Sequence, residues 1–273
     1  MSVRTSQIGE LPNALRERDQ LDRRLAGGRP AVFLDYDGTL TPIVERPEDA
    51  VISERMRDVV GRLAERCTVC VVSGRDRAVV QELMGLHDLV VAGSHGFDIW
   101  SPTQGPIHHE AAQGYEDIVA DATARLRAEL GGIDGAIVEP KKASVAAHYR
   151  LVAEDERDRV REVVERLLAE RPDQLKVTPG KMVYELQPKL EWDKGRAVLH
   201  LLDVLELDRD RVVPMYFGDD HTDEHAFEAL SGRGIGIFVG DPRDPEVAGR
   251  TTAADFVLAS IDEVERLLDS LAR

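Results

Sequence analysis

The chain has 273 residues, 42% of them hydrophobic and 32% charged, the balance of an ordinary globular protein of one large or two small domains. Its formal net charge of −16 repels nucleic acid and anionic membranes at long range, so neither is expected as the main partner. A phosphorylated metabolite remains compatible, because a metal ion and a few Lys or Arg residues can reverse the field locally.

In chain order, residues 1–28 are polar, carry an Arg-rich helical patch ending at Gly27-Gly28, and read as an N-terminal extension. Their opening, "MSVRTSQIGELPNALRERDQ", has neither an apolar h-region nor a small-residue cleavage site. No apolar run approaches the ~18 residues of a membrane span. "PAVFLDYD" is a continuous apolar run, as expected of a parallel strand covered on both faces. "SERMRDVVGRLAER" spaces Met56, Val59, Val60 and Leu63 as one helical face, with Ser53 as N-cap. "CTVCVVSGR" is a second strand, 75–84 a second helix and "DLVVAGSHG" a third strand. Cys67 and Cys70 form C-x-x-C inside that apolar second strand, with no other cysteines to complete a zinc site, so two buried free thiols are expected. A cytoplasmic enzyme fits these features.

Near residue 105 the rhythm changes. A helix is expected at about 115–130, ended by Gly131-Gly132, then two strands in "GAIVEPKKASVAAHYR" and a charged helix at 154–170. "LKVTPGKMVYELQP" reads as a hairpin around Pro179-Gly180. The first rhythm then resumes with a helix in "KGRAVLHLLDVLEL", a buried strand in "RVVPMYFGDD", a helix in "TDEHAFEALS" and a strand in "GIGIFVG". A short strand at 255–258 and a helix at 261–272 close the chain. The expected architecture is a doubly wound parallel-sheet, Rossmann-like α/β core over 29–107 and 190–273, with an α+β unit inserted at 108–189.

In an open parallel sheet, ligands bind beyond the carboxyl ends of the strands. Asp35 and Asp37, Ser73, His95, and Asp219 and Asp220 all stand at such ends, so the fold would bring them together. Asp35 can present a nucleophilic carboxylate. Asp37, two residues on, points the same way and can serve as acid and base. A D-G turn at a strand end explains the pair equally well. Asp219, Asp220 and Asp223 facing Asp35 make a hard-oxygen cage suited to Mg2+, which would offset the repulsion among the carboxylates. Helix capping accounts for Thr222 and Asp223 but leaves Asp219 and Asp220 unexplained. Lys194 can neutralise phosphoryl oxygens, and Ser73, with the neighbouring Gly74 and Arg75, can bind one. Taken singly, Lys194 also suits a helix surface and Ser73-Gly74 a turn.

"LDYDGTL", "VVSGR", "DKG" and "GDDHTDE", in this order, resemble the four motifs of the haloacid dehalogenase superfamily of phosphatases. Within it, "GSHGFDIW", "VEPKKASVAAHYR", "KMVYELQP" and "WDKGRAV" are similar to trehalose-6-phosphate phosphatases. The resemblance implies that Asp35 attacks phosphorus and forms an aspartyl-phosphate, and that Asp37 protonates the leaving sugar oxygen and then activates water. It implies Mg2+ on Asp35, the Asp37 carbonyl and Asp219, with Asp220 and Asp223 auxiliary, while Ser73 and Lys194 hold the phosphoryl group. It makes the inserted unit a substrate-recognising cap, with Glu139, Lys141, Lys181 and Glu185 as sugar contacts. His148, Arg150, Arg75 and His95 are further candidates. A solvated face explains the cap charges, and hinge packing explains "GSHG", about as well. The substrate implied is trehalose 6-phosphate, with a functional link to a trehalose-6-phosphate synthase. The alternatives are another sugar phosphate (of sucrose or mannosylglycerate), a phosphomutase, or a non-enzymatic sugar-phosphate sensor.

Overall fold

A computed structural model describes residues 5–44, 46–109, 114–180, 182–207 and 211–273. In chain order its elements are β1 (Ser6–Gln7), α1 (Arg18–Leu25), β2 (Arg29–Leu34), α2 (Glu54–Ala64), β3 (Val69–Val72), α3 (Arg77–Met84), β4 (Val90–Gly93), β5 (Asp98–Ser101) and β6 (Gly105–Ile107). There follow α4 (Tyr115–Leu130), β7 (Ile137–Pro140), β8 (Val145–His148), α5 (Arg157–Glu170), β9 (Leu175–Gly180) and β10 (Val183–Pro188). The last are α6 (Lys194–Val204), β11 (Val212–Gly218), α7 (His221–Leu230), β12 (Ile235–Val239), β13 (Thr251–Thr252), β14 (Phe256–Leu258) and α8 (Ile261–Leu271). They fall into two compact units, Met1–Ile107 with Asp193–Arg273, and His108–Trp192.

The first unit is built on an eight-stranded sheet in the order β14-β12-β11-β2-β3-β4-β5-β6. Its strands from β14 to β4 run parallel and, past the exposed Arg29 that opens β2, are apolar, because helices cover both faces. The alternation of side chains sends Val32, Leu34, Val71 and Phe217 into a core with Met56, Val59 and Val60 of α2 and Val264, Leu267 and Leu268 of α8. Tyr216, on the opposite face, meets Phe227 of α7 edge-on. Ser53 caps α2 as its sequence position suggests, accepting from the Met56 N–H at 3.1 Å. Two features depart from the sequence reading. β5 and β6 add to β4 as antiparallel strands, where a wholly parallel sheet was expected. The N-terminal extension is also packed onto the core, since Ile8, Ala14 and Leu21 are fully buried and β1 pairs with β13. Pro12 to Ala14 lie along the outer edge of β14, where the Ala14 N–H donates to the Val257 carbonyl and the Val257 N–H to that of Pro12.

The second unit is a four-stranded antiparallel sheet, β7-β8-β10-β9, with α4 and α5 packed on one face. Val145, Ala147 and Leu186 turn toward Leu126, Val160 and Leu167 of the helices. Pro179 and Gly180 pair with Tyr184 and Val183 as the end of β9. Lys181 lies outside the described residues.

Candidate active site

The carboxyl ends of β2 and β11 sit side by side, and the Asp35 N–H extends their ladder by donating to the Phe217 carbonyl at 2.9 Å. The chain then turns sharply. Leu40 and Thr41 N–H groups both return to the Tyr36 carbonyl, and the buried Tyr36 hydroxyl donates to the Ala50 carbonyl at 2.7 Å. Gly38 makes the turn at φ 78°, and a Cβ there would stand 2.1 Å from Asp219 Oδ2, so only glycine lets the two loops meet. Thr39 is buried with its hydroxyl unpartnered among the described residues.

At the floor, the buried Lys194 opens α6 and donates from Nζ to Asp35 Oδ1 at 2.8 Å and to Asp223 Oδ1 at 2.7 Å. Burial works against its charge, but Asp35 and Asp223 outweigh that and raise its pKa above the ordinary value. Burial, opposed by Lys194 and reinforced by Asp223 and Asp219, pushes Asp35 well up. Burial and the Asp223 charge push Asp219 up to about 7. One Asp219 oxygen, Oδ1, is buried without a hydrogen-bond partner among the described residues.

Carboxylate oxygens of Asp35, Asp219 and Asp223 lie within 4.8 Å of one another, a hard-oxygen cluster of the kind that holds a divalent cation. Its members are not equivalent. Asp223 is fully buried and its oxygens are filled: Oδ1 accepts from Lys194 and from the Tyr216 hydroxyl (2.6 Å), and Oδ2 from the Asp219 and Asp220 N–H groups at 3.1 and 3.0 Å. Asp220 is the N-cap of α7 in a capping box with Asp223, and it accepts from the His221 N–H and ring. Burial opposes its ionisation, but the His221 hydrogen bonds prevail and lower its pKa. Both residues were expected as metal ligands. Asp223 stays in the cluster with Asp35 and Asp219 while accepting four hydrogen bonds, and Asp220, whose named bonds to His221 all fall on Oδ1, stands outside it.

Arg75 holds Asp37 by both ends, Nε to Oδ2 and Nη2 to Oδ1, each at 2.6 Å. Its own N–H donates to the Ser73 hydroxyl at 3.1 Å, and Ser73 is buried behind the wall at the end of β3. His95 follows Ser94 in a pair of left-handed residues, φ 57° and 51°, whose N–H groups bind the Ser73 and Arg75 carbonyls. That strained turn sets the imidazole against Gly74, where an added Cβ would be 2.8 Å from the ring. Asp35, Asp37, Gly74, Arg75, His95, Lys194, Asp219 and Asp220 thus line one cavity of about 790 Å³ within the first unit.

A model of the family described as trehalose-phosphatase matches residues 33–260. A trehalose-phosphate phosphatase of Mycobacterium tuberculosis is 41% identical over 100% of this chain and 69% of its own length. The chain belongs to the trehalose-phosphatase family. An uncharacterized glycosyl hydrolase of the same species is 42% identical over 97% of this chain, which spans only 20% of that protein's length. The C-terminal domain of Candida albicans trehalose-6-phosphate phosphatase matches at a TM-score of 0.72 with 23% identity, covering 96% of this chain and 98% of that one, a likeness of fold.

In this trehalose-phosphatase family member the remaining expected residues belong to the second unit. Glu139 and Glu185 flank Ala146 in the sheet register, and with His148 they occupy the face turned away from α4 and α5. His148 Nε2 lies 2.7 Å from Glu139 Oε2. Glu185 Oε1 accepts from Ser144 at 2.6 Å and from Lys141 at 3.4 Å. Arg150 is exposed. Sequence reasoning missed Ser144 and Tyr216. A hydroxyl-tipped aromatic at full burial in a Val-, Met- and Phe-rich strand was the available signal for Tyr216, since such a group requires a polar partner.

Proposed function

We propose that the protein is a Mg2+-dependent phosphatase that hydrolyses trehalose 6-phosphate to trehalose and phosphate. The observation that carries the reading is the buried Lys194, shared between Asp35 and Asp223 at the mouth of adjacent parallel strands with Asp219 beside them. Family membership supports the substrate class. Asp35, the Asp37 carbonyl and Asp219 would hold Mg2+, which supplies positive charge against the acidic cluster and the phosphoryl oxygens.

Asp35 attacks phosphorus as the bond to the sugar oxygen breaks, giving an aspartyl-phosphate, and Asp37 gives its proton to the departing oxygen. Water then attacks phosphorus, Asp37 takes its proton, and the Asp35–phosphorus bond breaks to free phosphate. Lys194 holds the transferring group, where positioned charge contributes most of the catalysis, and Ser73 supports it from behind the wall by fixing the Arg75 N–H. Both Asp37 oxygens are engaged by Arg75, so that pair has to open before Asp37 can reach the leaving oxygen. A phosphate dianion competes for the guanidinium and is suited to draw it off. Glu139, Lys141 and Glu185 read the sugar, with His148, Arg150, Lys181 and His95 as further contacts. A cytoplasmic setting and supply by a trehalose-6-phosphate synthase belong to the same reading.

The test is a phosphate-release panel on trehalose 6-phosphate, sucrose 6-phosphate, mannosylglycerate phosphate and an aryl phosphate, with Glu139→Ala, Lys141→Ala and Glu185→Ala beside the wild type. Each variant should lose about 10- to 100-fold in kcat/KM on trehalose 6-phosphate, the scale of one or two hydrogen bonds to charged groups. Aryl phosphate should be hydrolysed as before. Wild-type preference for another sugar phosphate, or equal losses on both substrates in folded variants, would overturn the assignment.

A further inference from the structure

The geometry points to Tyr216 as a positioning residue for phosphoryl transfer, acting through Asp223 on Lys194. Tyr216 lies in β11 on the strand stretch leading to Asp219, fully buried between β2 and β12. Its ring is wedged edge-on against Phe227, at 5.7 Å between centroids and 81° between planes, so the hydroxyl has one direction to point. It donates to Asp223 Oδ1 at 2.6 Å, and that oxygen is also the one that accepts from Lys194 at 2.7 Å.

The sharing of one oxygen has a consequence for the lysine. Lys194 Nζ divides its hydrogen bonds between Asp35 Oδ1 and Asp223 Oδ1, and only the Asp35 side faces the reacting phosphorus in the proposed mechanism. A second donor on Asp223 Oδ1 satisfies part of that oxygen's demand and, with the two N–H groups on Oδ2, fixes the plane of the carboxylate. Without the hydroxyl, the fully buried Oδ1 keeps Lys194 as its one side-chain donor among the described residues. The ammonium is then drawn toward Asp223 and away from Asp35 and the phosphoryl oxygens. Tyr216 bonds to Asp223 and not to Asp35 or Asp219, so its removal is expected to act on the lysine rather than on the cation or the sugar.

The inference rests on the role given to Lys194 above, not on the identity of the sugar. Tyr216→Phe keeps the ring and removes the hydroxyl. With the Mg2+-loaded enzyme, kcat should fall about tenfold on trehalose 6-phosphate and on p-nitrophenyl phosphate alike, the scale of one hydrogen bond to a buried charge. KM, and the Mg2+ Kd from titration calorimetry without substrate, should each stay within about twofold. Phe227→Leu loosens the same ring contact but keeps the hydroxyl, and serves as the control for packing. An unchanged kcat in Tyr216→Phe overturns the inference. So does a tenfold weaker Mg2+ Kd, which would make Asp223 a ligand and Tyr216 its support, or an equal loss of kcat in Phe227→Leu. If the wild type acts on p-nitrophenyl phosphate but not on trehalose 6-phosphate, the sugar assignment fails while the Tyr216 comparison still gives its answer on the aryl ester.

Discussion

Replacing Lys194 with Met keeps the length of the side chain and removes its charge from between two buried carboxylates. At an effective dielectric of about 20, each contact at 2.7–2.8 Å carries roughly 6 kcal/mol of gross attraction. Dehydration of the three groups and the mutual repulsion of Asp35 and Asp223 offset most of that. Breaking a buried pair by deleting one partner costs about 3–5 kcal/mol, because the survivors keep their dehydration without compensation. The side chains here are 3%, 6% and 0% exposed, so solvent screening does not reduce that range. The loss depends on pH. Below its raised pKa the Asp35 carboxyl can take up a proton and shed its charge, so the variant recovers part of its stability in acid. At roughly 2–4 °C per kcal/mol, Tm at pH 8 should drop by about 10 °C, and by clearly less at pH 5.5. Differential scanning fluorimetry on metal-free wild type and Lys194→Met at both pH values makes the measurement. An equal Tm loss at both, or a loss under about 2 °C at pH 8, would refute the placement of a charged lysine between two ionised carboxylates.

Two further outcomes are expected. Gly38→Ala drives a Cβ to within 2.1 Å of Asp219 Oδ2 at a backbone φ of 78°, so calorimetry should show Mg2+ binding weakened by about 10- to 100-fold; unchanged affinity would mean that Asp219 is no ligand. In the metal-free protein Asp219, near pH 7, and the raised Asp35 keep protons that the unfolded chain releases at about pH 4, so their contribution to stability falls as pH rises from about 4 to 7. Mg2+ binds the ionised forms, and its Tm increment should be larger at pH 8 than at pH 5.5; equal increments would argue against carboxylate ligation.

The parallel core was legible because strands covered on both faces leave unbroken apolar runs such as "AVFL", and α2 announces itself through Met56, Val59, Val60 and Leu63. The β5–β6 pair was not, because four- and three-residue strands joined by a tight turn carry too little periodicity to register. The residues at strand ends were found by type and place. Their division of labour was not found, since it depends on which lone pairs are already taken. Asp220 and Asp223 read as auxiliary ligands, and the structure adds what the sequence does not show, a capping box and four donors on Asp223. The Arg75–Asp37 pair joins residues 38 positions apart, beyond any local pattern. The N-terminal segment misled for the opposite reason: its buried residues, Ile8, Ala14 and Leu21, are too sparse to form a run.

The same segment bears on how the molecule behaves in company. A sheet ends wherever a strand has unpaired N–H and C=O groups on its outer side, and such margins recruit other chains. At one margin β6 is three residues long with Pro106 at its centre, a residue that cannot donate. At the other, Pro12 to Ala14 occupy Val257 of β14 from outside, and Asn13 is pinned by its amide to Glu263 at 2.7 Å. Trimming the first sixteen residues to shorten the protein should therefore uncover the apolar margin of β14 and give the sheet an edge open to self-association.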